Sequence, residues 1–207
     1  MSSTEWIDPG VPIPESASKI HGIYDRDIKE KGQDPPETLE AIVLVIAALM
    51  SEGVPLVGMN MAFDLTMLDR NCRRWGVVPL CDRVEIVPVI DAMVLDKKVE
   101  PFRRGTGMRR LTSIAPLYGV PIDGKAHTSE FDALLAARVI WRIGKMYHPV
   151  GQLSAIELHH YQVVWKQAQD KSFAAWLKGQ QRDATGVDGQ WPYRPFDPPR
   201  EEVDALW

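Results

Sequence analysis

The chain has 207 residues, 45% of them hydrophobic and 25% charged, with a formal net charge of −4. That length and apolar content suffice for one well-buried domain with an appended helix and a tail. The mild acidity excludes a polybasic, histone-like coat but not a nucleic-acid enzyme, which needs only local cations. Such cations stand at Arg73-Arg74, Lys97-Lys98, Arg103-Arg104 and Arg109-Arg110, although each pair also reads as a solvated helix end or loop. Cys72 and Cys81 form neither a zinc pattern nor a disulfide framework, so a reducing compartment is expected. The polar start lacks a signal-peptide core, and the longest apolar run, Ala41 to Met50, is far below the roughly 18–20 residues that span a bilayer. A cytoplasmic protein with no membrane partner follows.

In chain order, residues 5–23 read as an extended lead-in and a proline-broken loop, Asp8-Pro-Gly-Val-Pro-Ile-Pro14, followed by His21-Gly22-Ile23. A helix begins after Asp34, which can cap it. Pro35 suits the first helical position and Glu37 the capping-box position. Leu39, Ile42, Val43, Ile46, Leu49 and Met50 recur at helical spacing, and Gly53 ends the helix. Val54–Met59 has strand length, and a helix that Asn60 could cap runs from about Ala62 to Gly76. Ile86–Ile90 is a second strand, ending at Asp91. Residues 97–107 form a basic, glycine-bearing loop, and a short helix covers about 109–118, with Pro116 disturbing its end. The next helix follows His127, with Ser129 as its cap and Asp132 in its third position. The last starts at Ser154, with Glu157 completing a capping box, and runs to about Lys178. The segment after Gly179 is rich in Gly, Pro and Trp and has no periodicity, so sequence does not decide whether it docks on the domain or on a partner. Strands alternating with helices indicate an α/β sandwich.

The chemistry concentrates in Asn60-Met-Ala-Phe-Asp64 and His127-Thr-Ser-Glu-Phe-Asp132. Asp64 follows a strand and sits in the first turn of a helix. There it either complements the helix dipole or faces the ligand side of an α/β sheet. Asp132 has the same two readings. On one continuous helix His127 would lie about 140° around from Asp132, but a loop-borne His and a helix-borne Asp can converge. Carboxylates suit Mg²⁺ or Mn²⁺, and two such ions roughly 3.5–4 Å apart stabilise both oxygens of a phosphodiester displacement. A His with an ordinary pKa takes a proton from water near neutral pH. Asp91 at a strand end could approach the site or simply make a turn, and His159-His160 reads as helix surface.

These stretches resemble the DnaQ-like 3′→5′ exonucleases of the DEDDh group, which includes the proofreading epsilon subunit of bacterial DNA polymerase III. The resemblance covers about residues 5–147 and rests on Trp6 to Pro14, His21-Gly-Ile23, Asn60-x-x-Phe-Asp64 and His127-x-x-x-x-Asp132-Ala133. It implies an RNase H-like fold, a mixed five-stranded sheet flanked by helices. It also implies metal ligation by Asp64 and Asp132, with His127 as the general base. Asn60 and Phe63 would then lie beside the 3′-terminal nucleotide, and His21, Gly22 and Ile23 against its base. The implied division is an exonuclease domain over 1–150, an appended helix over 151–178 and a tail over 179–207.

The family's first motif, Asp-x-Glu on an opening strand, has no counterpart: the early acids are Glu5, Asp8 and Glu15, at other spacings. The sequence therefore reads as a domain lacking its first strands, expected to be a weak nuclease and a poorly stable domain as written. The expected function is metal-dependent 3′→5′ cleavage, with Mg²⁺ or Mn²⁺, two ions in a complete site. The substrate is a single-stranded or frayed 3′ end of DNA, with RNA not distinguished, and a DNA polymerase subunit is an expected partner. Arg103-Arg104 and Arg109-Arg110 would contact the backbone. The rival reading is a non-catalytic module that binds nucleic acid or a replication partner.

Overall fold

Pro55 and Pro88 set where the sheet begins, because neither has an N–H to give to a ladder. In the computed structural model, which describes residues 5–122 and 128–197, strand β1 spans Leu56–Gly58 and strand β2 spans Val89–Asp91. They run parallel, with Leu56 opposite Val89, Val57 opposite Ile90 and Gly58 opposite Asp91. Both strands are shorter than the apolar runs that announced them. Among the described residues these two form the whole sheet, so the five-stranded sheet implied by the resemblance is represented here by one parallel pair.

Helices precede, separate and follow the strands: α1 Glu15–His21, α2 Asp25–Lys31, α3 Pro35–Ser51, α4 Met61–Arg74, α5 Ala92–Val99, α6 Leu111–Ile114, α7 Ser129–Met146, α8 His148–Gly151 and α9 Ala155–Gly179. Two expectations about where helices start need correction. The stretch up to Ile23 is not all extended, since α1 forms there with Glu15 in its first turn and Lys19 and His21 in its last, charges that complement the helix dipole. Gly22 closes it in the left-handed conformation, φ 73°. Helix α7 is capped by Thr128 rather than Ser129, because the Thr128 hydroxyl accepts the Phe131 N–H at 3.3 Å, which moves Asp132 one position deeper into the helix.

Helix α3 forms as its sequence indicates. The Asp34 carboxylate accepts the Glu37 N–H, and Gly53 and Val54 return their N–H groups to the carbonyls of Met50 and Leu49, the double closure that a left-handed glycine permits. Leu39, Val43 and Met50 are buried, while Leu44, Val45 and Leu49 remain exposed.

Alternate strand residues serve two cores, as the pleat requires. Leu56 and Val89 pack with Leu39, Val43, Leu65 and Cys72 from α3 and α4. Val57 and Ile90 pack with Leu95, Ile114, Leu135, Val139 and Ile143 from α5, α6 and α7.

The outer edge of β2 is closed by a helix rather than a strand. From α9, His159 Nδ1 accepts the Val89 N–H at 3.1 Å, and Gln162 Oε1 accepts the Asp91 N–H at 2.8 Å. The Gln162 amide also donates to the Val89 carbonyl at 3.1 Å. His159, expected on the surface, is therefore buried, with its ring against Trp191. Its sequence position gave no hint of this, because α9 carries no clear apolar stripe to say which side faces inward.

Two consequences are measurable. Gln162→Leu fills the same space but orphans a buried N–H and a buried carbonyl, so it should cost roughly 2 kcal/mol or more in urea unfolding. Burial, helped by the neighbouring His160, holds the His159 imidazole below its ordinary value of 6.5. The native state thus binds fewer protons there, so this contribution is complete above about pH 6.5 and is lost as pH falls toward the depressed value. His159→Gln should flatten the stability–pH profile in that window; an unchanged slope would dissociate His159 from acid lability.

Candidate active site

Parallel strands present both C-terminal ends on one side of the sheet, and here each end opens a helix, β1 into α4 and β2 into α5. The joint is the Asp91 carboxylate, 1% exposed. It accepts the backbone N–H of Asn60 at 2.8 Å and of Met61 at 3.0 Å, at the start of α4. It also caps α5 through the Met93 N–H at 2.8 Å and takes the indole N–H of Trp191 at 3.3 Å. Asn60 adopts a left-handed backbone, φ 65°, and its side chain makes no capping bond. Its N–H, rather than its amide, ties the turn down.

With the turn fixed, the first turn of α4 presents two sides. On one, Asp64 faces a cleft of about 480 Å³ lined by Val57, Gly58 and Met59 of the β1 end, Leu111 of α6, and Ser129 and Asp132 of α7. The two carboxylates, far apart in the sequence, thus share one cavity. Asp64 reaches solvent at the mouth of this cleft. Burial of its inner side, with the charge of Asp91 adding and its own backbone N–H opposing, raises its carboxyl above the ordinary 3.8. Its partial exposure limits that effect.

On the other side of the turn, Asn60 and Phe63 line a separate pocket with Thr66, Lys166 and Arg194. His21, Gly22 and Ile23 end α1, where the His21 ring accepts the Ile23 N–H at 3.0 Å, and they line neither cavity. His127 lies outside the described residues.

The basic pairs divide unevenly. Asp96, fully buried, takes ion pairs from Arg103 and Arg109 and the Tyr118 hydroxyl at 2.7 Å. Burial first, and then Asp96, push the Tyr118 phenol well up. Arg109 also donates to the Glu100 and Arg103 carbonyls at 2.7 and 3.1 Å. These two arginines hold the 100–110 loop together, and both also line the hollow that Arg110 reaches. Arg104 and Arg110 are exposed and make no ion pair among the described residues. Arg110 lines a shallow basic hollow that shares Met59 and Leu111 with the acidic cleft.

Among the described residues, no three His, Cys, Asp or Glu side chains gather to hold a metal ion. The donor set in the cleft is two carboxylates. That fits a single hard divalent ion, since Mg²⁺ is commonly held by one or two carboxylates, with waters and substrate phosphate completing its shell.

A protein-family model described as exonuclease (RNase T type) matches residues 3–140. The chain belongs to the DnaQ-like exonuclease family. It is 26% identical over 141 residues to a PolC-type DNA polymerase III of Lacticaseibacillus paracasei, covering 68% of this chain and 9% of that protein. A PolC-type DNA polymerase III of Streptococcus thermophilus strain LMD-9 is 27% identical over 139 residues, 66% of this chain and 8% of its own length. The chain thus spans less than a tenth of the curated relatives it matches. An exonuclease domain implies a nucleic-acid substrate, and among the described residues no helix is long and apolar enough to cross a membrane.

The sequence pointed to Asp64 and Asp132, which share one cleft here, and gave no role at these cavities to Gln162, Trp191, Lys166 and Arg194. All four fall beyond the family match, on a helix and a tail without a periodic signal. Because Asp64 is ionised against burial and against Asp91, Asp64→Asn should hold or raise the melting temperature at pH 7. The native state binds more protons at Asp64 than the unfolded chain does, so the wild-type penalty appears as pH rises from 3.8 through the raised value. Thermal melts at pH 7 and below pH 4 should therefore differ in the size of the mutant's advantage. A lower melting temperature for the mutant at pH 7 would refute this account.

Proposed function

We propose that this domain hydrolyses nucleic acid, DNA in the first place, from the 3′ end with the help of Mg²⁺ or Mn²⁺. The observation that carries the reading is the convergence of Asp64 and Asp132 on one cleft at the C-terminal end of β1. A bound divalent ion would supply Lewis-acid stabilisation of the phosphoryl oxygens and of the attacking oxygen. Asp64 and Asp132 would hold it, and a second ion needs more carboxylate oxygens than the described residues bring to the cleft. His127, next to Thr128 in sequence, is the proposed general base, removing a proton from the attacking water. Asn60 and Phe63 are proposed contacts of the terminal nucleotide, and His21, Gly22 and Ile23 of its base. Arg110, which lines the hollow beside the cleft, and Arg104 are proposed contacts of backbone phosphates. A polymerase partner is proposed from the names of the relatives, and a cytoplasmic location from the sequence.

The shortage of ligands among the described residues favours one second reading, a module that binds nucleic acid or a replication partner without turnover. The two are separated by digesting 5′-labelled and 3′-labelled single-stranded oligonucleotides with Mg²⁺, Mn²⁺ or EDTA. The nuclease reading expects a ladder shortening from the 3′ end that EDTA abolishes. Asp132→Asn should remove it while the far-UV spectrum and melt persist, and His127→Ala should lower the rate by a factor on the order of 10²–10⁴. No metal-dependent product from the wild type, with tight oligonucleotide binding, would select the binding module.

A further inference from the structure

The pocket on the far side of the α4 turn joins α4, inside the family match, to α9 and the tail, which the match does not reach. Its volume is about 280 Å³, and its lining includes Asn60, Phe63 and Thr66 from α4, Lys166 from α9, and Gln190 and Arg194 from the tail. No carboxylate lines it, whereas the adjoining cleft is lined by two carboxylates and no cation. Phe63 is 59% exposed, an unprotected aromatic face at the rim of a basic hollow.

The tail that delivers Arg194 is fastened at several points. The Gly189 N–H donates to the buried Asp170 carboxylate at 3.1 Å, and Trp191 inserts beneath the turn and bonds Asp91. The Arg194 N–H donates to Thr66 Oγ1 at 2.9 Å. Arg70 donates to the Arg194 and Pro195 carbonyls at 3.1 and 3.0 Å, and Phe196 lies under the guanidinium groups of Arg70 and Arg73. Gly189 suits this path, because it adopts φ 76° and a Cβ there would sit a tight 3.1 Å from the Gln167 Cα. The Arg194 guanidinium itself is exposed and, among the described residues, is held by the Gly186 carbonyl and a loose pair with Asp188 at 3.7 Å. Lys166 is paired with Asp170 one helical turn on. The backbone around Arg194 is thus fixed while its charge stays available.

We infer that this pocket is a second strand-binding subsite. On this inference, Arg194, supported by Lys166, holds a phosphate of a single-stranded nucleic acid, while a neighbouring base stacks on Phe63. The proposal rests on the nuclease reading above, in that the strand passes over the first turn of α4, with the bond to be cut on the Asp64 side and a phosphate that is only held on the Arg194 side. The division is physically reasonable. A phosphodiester that is only held wants fixed cations and an aromatic platform, and one that is cut wants carboxylates to carry an ion. Arg is suited to the first task because its planar fork bonds phosphate oxygens in pairs.

The test is fluorescence anisotropy of a labelled oligothymidylate of about twelve nucleotides. It uses the full chain in EDTA, so that neither metal nor cleavage enters, at several salt concentrations. Arg194→Ala should weaken binding about tenfold and flatten the slope of log K against log salt by about 0.7, the value for one phosphate contact on a single strand. Arg194→Lys should restore the slope, and Phe63→Ala should weaken binding on the order of tenfold without changing it. Both side chains are exposed, so the variants should fold, and their melts verify it. The proposal fails if the wild type does not bind the strand, if Arg194→Ala and Phe63→Ala both match it, or if deoxyadenosine monophosphate alone binds as tightly as the strand. A chain that binds through Arg194 yet never cuts would remove the nuclease reading and leave this subsite. A chain that cuts while its binding ignores Arg194 and Phe63 would do the reverse.

Discussion

The structure depends on one buried carboxylate. Asp91 ends the inner strand, and its two oxygens satisfy N–H groups from the start of α4, the start of α5 and the indole of Trp191. Its own backbone N–H is taken by Gln162 of α9. Burying a charge is costly unless hydrogen bonds replace its hydration, and here four donors do so. In return, α4, α9 and the tail, remote from one another in sequence, are fixed to one point, and each contributes to the candidate site or to the pocket beside it.

The same contact explains why one helical turn can serve two cavities. A left-handed Asn60 lets the chain leave β1 and enter α4 abruptly, and Asp91 holds that bend through two consecutive amides. Met61 and Asp64 then face α7, while Asn60 and Phe63 face α9 and the tail. An acidic cleft and a basic pocket therefore lie back to back across a single turn.

Charge counting alone would have misjudged the cationic surface. Arg103 and Arg109 are spent on the fully buried Asp96, since a buried carboxylate left without partners is costly. Arg73 pairs with Asp69 and lies over Phe196. Around the α4 turn, Arg110 lines the hollow beside the acidic cleft, and Arg194 reaches the other pocket because the tail brings it there.

The sequence by itself determined what depends on neighbours along the chain. Helix α3 was legible from Asp34, Pro35 and Gly53 because caps and left-handed closures are local, and α9 was legible from its Ser154–Glu157 box for the same reason. The two strands were legible as apolar runs, and Asp64 and Asp132 as first-turn acids, since a strand end feeding a helix is itself a local pattern. Tertiary structure decided the rest. Pro55 and Pro88 shortened the ladder only because each precedes a paired strand. The hydroxyl of Thr128, rather than that of Ser129, met the free amide and shifted α7 by one residue. His159 and Gln162 turned inward because β2 had an edge to satisfy, a demand invisible on a helix without an apolar stripe. Trp191 docked because the Asp91 carboxylate still had room for a donor beneath the α4 turn. Which side chains share a cavity depends on where distant segments end up, and spacing along the chain does not carry that information.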